Sequence, residues 1–85
     1  MENGIRAAIR RFPLKALEIR RVALANADFR SLCEDLADAE AAFERCASAA
    51  DADKDKRRSE YQILKEELAI EIEQMLAALS AEKRR

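Results

Sequence analysis

The 85-residue chain has no histidine, tryptophan or threonine, one glycine, one proline and two cysteines. Each scarcity excludes something. Valine and isoleucine together supply only seven residues. A sheet therefore has little to build on, because strands favour β-branched side chains and their hairpins need Gly, Asn or Asp turns. Without histidine the commonest general acid–base side chain is missing. The single glycine, Gly4, cannot make a phosphate-cradling loop. Cys33 and Cys46, with no histidine to join them, make no zinc set. On one helix their spacing is about 20 Å at 1.5 Å per residue, well beyond the ~7 Å between Cα atoms that a disulfide allows. No run approaches the ~20 apolar residues of a membrane span, and the start lacks the apolar core of a secretory signal. The sequence therefore reads as cytoplasmic, without cofactor or metal.

What is present forms helix. The chain holds 18 alanines, and alanine, leucine, glutamate and arginine lose least on entering a helix. The fold class is all-α, in one small domain. Charge is balanced overall at −1 but is unevenly distributed. Residues 1–21 carry a net +4, residues 22–53 a net −6 and residues 54–85 a net +1. A basic head and an acidic middle can attract one another within one molecule or between two. The overall balance does not mark a dedicated nucleic-acid binder.

Residues 1–12 read as a basic leader, with Ile5, Ile9 and Phe12 at helical spacing and Arg6, Arg10 and Arg11 on the other side. Pro13 resets the chain and, being comfortable at the first helical position, predicts a short helix over 13–25. Its apolar residues spread round most of the circumference, as in a helix with more than one neighbour. Asn26 is placed to cap the next helix, with Asp28 in its first turn.

From there the pattern is a heptad. Phe29, Leu36, Phe43 and Ala50 recur every seven residues, with Leu32, Ala39 and Cys46 as the companion row. The pattern fades over 49–55, where small and acidic residues collect, and the reversal is predicted near 51–53. A third stripe, Tyr61, Leu64, Leu68, Ile72, Met75 and Leu79, then follows helical steps to about Ala81. Folding back about residue 52 sets Phe43 against Tyr61, Leu36 against Leu68, Leu32 against Ile72 and Phe29 against Met75. The expectation is an antiparallel two-helix coiled-coil hairpin over 26–82, preceded by the short helix and followed by a basic tail, 83–85. Lys65 falls inside the apolar stripe, its stem expected to cover the seam and its ammonium to reach Glu40. A solvated lysine at the stripe edge is the competing reading.

A hairpin alone buries too little. Chains of about 60 residues bury only about 60% of their unfolded surface. Ile63, Ile70 and Ala77, seven apart and roughly opposite the main stripe, form a second apolar row that calls for a covering surface. Either the 13–25 helix folds over it or a second copy does. Self-association is favoured, a dimer completing a four-helix bundle, with the short helix packed across the end.

The run Asn26-Ala-Asp-Phe-Arg-Ser-Leu32, with Leu64-Lys-Glu-Glu-Leu-Ala-Ile-Glu-Ile-Glu-Gln-Met-Leu76, resembles the YdcH-like family of short bacterial helical-hairpin proteins. The resemblance spans roughly residues 26–79 and implies an antiparallel hairpin. That family's biochemical role is unknown, so no functional residue carries over. Ala27 stands where the family usually has proline, and Ala69 and Ile70 where charged residues are common, which makes the outer face stickier. A SlyX-like hairpin is a second resemblance that the opening fits less well.

Functionally, the carboxylates Glu66, Glu67, Glu71 and Glu73 look like a solvated face and no serine has a neighbouring base, so an enzyme is not expected. An amphipathic hairpin with a second stripe is suited to binding helices. The expected function is a non-enzymatic helical interaction protein that self-associates and docks on a larger protein partner. The alternative is an adaptor whose Arg6, Arg10 and Arg11 contact an anionic membrane or nucleic acid, a partner class the composition disfavours.

Overall fold

The computed structural model describes residues 2–48 and 54–83, and among these every element is helical. Four α-helices, α1 (Glu2–Arg11), α2 (Ala16–Ala25), α3 (Ala27–Ser48) and α4 (Lys54–Lys83), are joined early by a 3-10 turn over Pro13–Lys15. Pro13 has no N–H to continue α1, so the chain breaks there. The predicted 13–25 helix accordingly begins as the tight turn, with the Lys15 amide donating to the Phe12 carbonyl at 3.0 Å, before α2 proper. The reversal predicted at 51–53, Ala50 of the heptad row, and Arg84 and Arg85 of the tail lie outside the described residues.

The α2–α3 junction is closed by side chains. Asn26 is extended, and its Oδ1 accepts the Phe29 amide at 2.8 Å, satisfying one of the amides that a helix start leaves unpaired. One turn later the Arg30 guanidinium donates to the Ala23 carbonyl at 2.6 Å. It places a cation on the negative end of α2.

The core gathers Ala7 and Ala8 from α1, Ile19, Val22 and Ala23 from α2, Phe29, Cys33, Leu36 and Ala39 from α3, and Leu68, Ile72 and Leu76 from α4. Along the α3–α4 seam, Phe43 lies beside Arg58 and Lys65. Asp28 and Leu32, at the other end of α3, share a hollow with Glu71, Gln74 and Met75. Phe43, Leu32, Tyr61 and Met75 are half-buried there.

Several expectations need correction. The basic leader is a core helix: Gly4, Ala7 and Ala8 are buried, and Ile5, Ile9 and Phe12 pack against the core. Its small residues let α1 approach α3 closely, and residues so small leave no apolar stripe in the sequence. Leu64 is exposed although it belongs to the predicted seam, and Ala69 and Leu76 are buried. On that flank α1 reaches α4, its Arg11 pairing with Glu66 at the surface. Leu64 lies on the other flank, about 80° round the helix from Ile72 at 100° per residue. Ala69 therefore belongs to the core and not to the outer face. Cys46, placed in the companion row of the seam, is partly exposed, while Cys33 is fully buried.

Lys65 is half-buried, and its Nζ lies 4.1 Å from the centre of the Phe43 ring. Glu40 receives Arg10 instead, at 2.9 Å. The ring also carries the Arg58 guanidinium at 5.1 Å, so two cations share one aromatic side chain.

Candidate functional site

The basic head meets the acidic middle through Arg10 and the last helix through Arg11. Arg10 pairs with Glu40 and Arg11 with Glu66 at 3.3 Å, both at the surface. Arg11 also lies 5.2 Å from the Phe12 ring centre. Exposed pairs of this kind contribute about 0–1 kcal/mol each. Arg6 is exposed on the same helix. The apolar side of α1 is turned inward, so Arg6, Arg10 and Arg11 stand without an adjoining exposed apolar surface.

At Gly4, α1 and α3 approach closely. The Gly4 amide donates to Glu34 Oε1 at 3.2 Å, bringing a carboxylate to the amino end of α1 from the third helix. Beside it, burial together with the neighbouring Glu34 charge pushes the Cys33 thiol up to about 11. Such a thiol stays protonated and unreactive near neutrality. Both cysteines are free, and among the described residues no cluster of His, Cys, Asp or Glu is arranged to hold a metal ion. Among them also, no helix is long and apolar enough to cross a membrane.

What remains is a pair of uncovered apolar helix faces. On α4, Ile63 and Ile70 are 58% and 53% exposed and Ala77 is exposed beyond them, on the side away from the Leu68–Ile72–Leu76 stripe. The α1 and α2 helices pack elsewhere, so the short helix does not cover this row. The second face was not legible as such. In α2, Ile19, Val22 and Ala23 are buried, and the Ser80 hydroxyl of α4 donates to the Glu18 carboxylate. The opposite side presents Leu14, fully exposed, and Leu17 and Leu24, 79% and 85% exposed. The apolar spread round 13–25 predicts more than one neighbour; within the chain only the Ile19–Val22–Ala23 side is covered.

The two faces differ in charge. Arg20 and Arg21 are exposed beside the α2 leucines. On α4, Glu67 and Glu73 are exposed on either side of the isoleucine row, and from Glu66 to Glu82 the chain has no lysine or arginine. Comparison with family models, curated proteins and solved structures gives no match.

Proposed function

We propose that this chain is a small, non-enzymatic helical interaction protein that self-associates through its exposed apolar helix faces and docks on a larger protein. Its working unit is the α3–α4 pair read as an antiparallel coiled-coil hairpin, the architecture that the YdcH-like resemblance also implies. A cytoplasmic setting fits two free thiols.

The observation that carries the reading is the pair Ile63 and Ile70, more than half exposed on a helix whose other side already has its core. Burying an isoleucine side chain contributes about 1.5–3 kcal/mol, and a row of such residues on a small domain is a docking surface. The alternative of an adaptor for anionic surfaces draws no support from α1, whose Arg10 and Arg11 are engaged by carboxylates and whose apolar residues face the core.

Sedimentation of the intact chain across micromolar concentrations at two salt levels tests the proposal. The expected result is a dimer or larger assembly that the Ile63→Glu plus Ile70→Glu variant loses while keeping its helical circular dichroism. A wild-type chain that stays monomeric throughout would sink it.

A further inference from the structure

We infer that the partner of the α4 isoleucine row is the outer face of α2 on a second copy of this chain. The inference rests on the proposed self-association and names the surfaces that meet. It stands on three matched features. Both faces are apolar and uncovered: Leu17 and Leu24 on α2, Ile63 and Ile70 on α4. Both pairs are seven residues apart, about 10.5 Å along a helix at 1.5 Å per residue. The two rows therefore have the same length and repeat, as interdigitating helices require. The flanks carry opposite charge, with Arg20 and Arg21 beside the leucines and Glu67 and Glu73 beside the isoleucines, all exposed.

Pairing the α4 row with itself would instead bring Glu67 and Glu73 of two copies against one another. Like charges brought together in an interface disfavour that arrangement. The α2 row paired with itself would do the same with Arg20 and Arg21. Only the crossed arrangement buries both rows and offers every flanking charge an opposite one. Formed twice in one pair, the crossed contact is isologous and closes a dimer; formed once per copy it is heterologous and extends a chain.

Mixing separates this from any other mode of assembly. The first variant is Leu17→Glu plus Leu24→Glu, which damages α2 and leaves α4 intact. The second is Ile63→Glu plus Ile70→Glu, which does the reverse. All four positions are exposed in the folded chain, so both variants should keep wild-type helicity. Each alone should associate at least ~100-fold more weakly than wild type, the loss expected when two large apolar anchors become charged. An equimolar mixture should form a one-to-one heterodimer, because one copy still carries a good α2 and the other a good α4.

The charge flanks give a milder second test. Arg20→Glu plus Arg21→Glu and Glu67→Lys plus Glu73→Lys should each weaken association, and mixing them should restore it. If the α2 leucine variant associates as well as wild type, or if neither mixture regains mass, the crossed pairing is wrong even though self-association stands. A monomeric wild type would overturn self-association itself.

Discussion

The amide of Gly4 and the carboxylate of Glu34 meet at 3.2 Å across thirty positions of sequence, where the two helices leave no room for a side chain on Gly4. A Cβ on Gly4 would come within 2.7 Å of the Glu34 amide nitrogen and 2.8 Å of the Cys33 carbonyl carbon. These are backbone atoms of α3 and cannot swing aside. Gly4→Ala must therefore lift α1 away from α3.

The direction of that effect is diagnostic. In a solvated leader helix, alanine for glycine would stabilise by about 0.5–1 kcal/mol. In the packed helix the clash should cost about 1–3 kcal/mol, as overpacking does. For a domain of this size, 1 kcal/mol moves Tm by roughly 4–8 °C. Thermal unfolding of Gly4→Ala should show a Tm lowered by several degrees; a raised Tm would mean that α1 does not dock as described.

Cys33 makes stability depend on alkaline pH. Its thiol is held up to about 11 in the folded chain, first by burial and second by Glu34, against 9.0 for an ordinary thiol. Between those two values the unfolded chain loses the proton and the folded chain keeps it, so the unfolded state binds fewer protons and stability falls as pH rises. The loss is full above pH 11 and absent below pH 9. Each pH unit in that window removes up to about 1.4 kcal/mol. Urea unfolding of wild type and Cys33→Ala at several pH values from 8 to 11 should give a steeper decline for wild type. Near neutrality a thiol reagent should modify Cys46, which is partly exposed, well before Cys33.

These relationships explain how far the sequence could be read. The helical class, the cap at Asn26 and the uncovered row at Ile63 and Ile70 follow from residue type and spacing, which are local properties. The role of α1 did not. Gly4, Ala7 and Ala8 bury little area each, so they leave no apolar stripe; their contribution is the close approach they permit, which exists only once α3 is beside them. Leu64 and Ala69 exchange places in a like way, since the helices packed against α4 decide which of its flanks is covered. Lys65 shows the limit for charges. Its position in the stripe was legible, whereas the preference of its ammonium for the Phe43 ring over Glu40 depended on Arg10 arriving from another helix.

That competition can be measured. The Lys65 ammonium at 4.1 Å and the Arg58 guanidinium at 5.1 Å both rely on the Phe43 ring. A cation over an aromatic face contributes about 0.5–1 kcal/mol at exposed sites. In a double-mutant cycle of Phe43→Leu and Lys65→Met, the coupling energy should fall in that range, because leucine keeps the apolar bulk and methionine the stem. Coupling indistinguishable from zero would mean that Lys65 serves the seam through its methylenes alone. Glu40→Gln, by contrast, should leave the cycle unchanged, since that carboxylate belongs to Arg10.

The two sides of α2 should separate folding from association within one short helix. Ile19 is fully buried between α2 and its neighbours, whereas Leu17, two residues earlier, is 79% exposed. Ile19→Ala removes core contacts and should cost about 2–5 kcal/mol in chemical unfolding. Leu17→Glu has no core contact to lose, and in the monomer its effect should stay within about 0.5 kcal/mol. The order reverses when mass is measured instead. At protein concentrations where wild type is associated, Leu17→Glu should shift the chain to monomer with its helicity intact. Ile19→Ala, examined below its unfolding transition, should keep the assembly. If Leu17→Glu destabilised the monomer as strongly as Ile19→Ala does, the outer side of α2 would be packed within the chain itself. The leucine row would then be no docking surface.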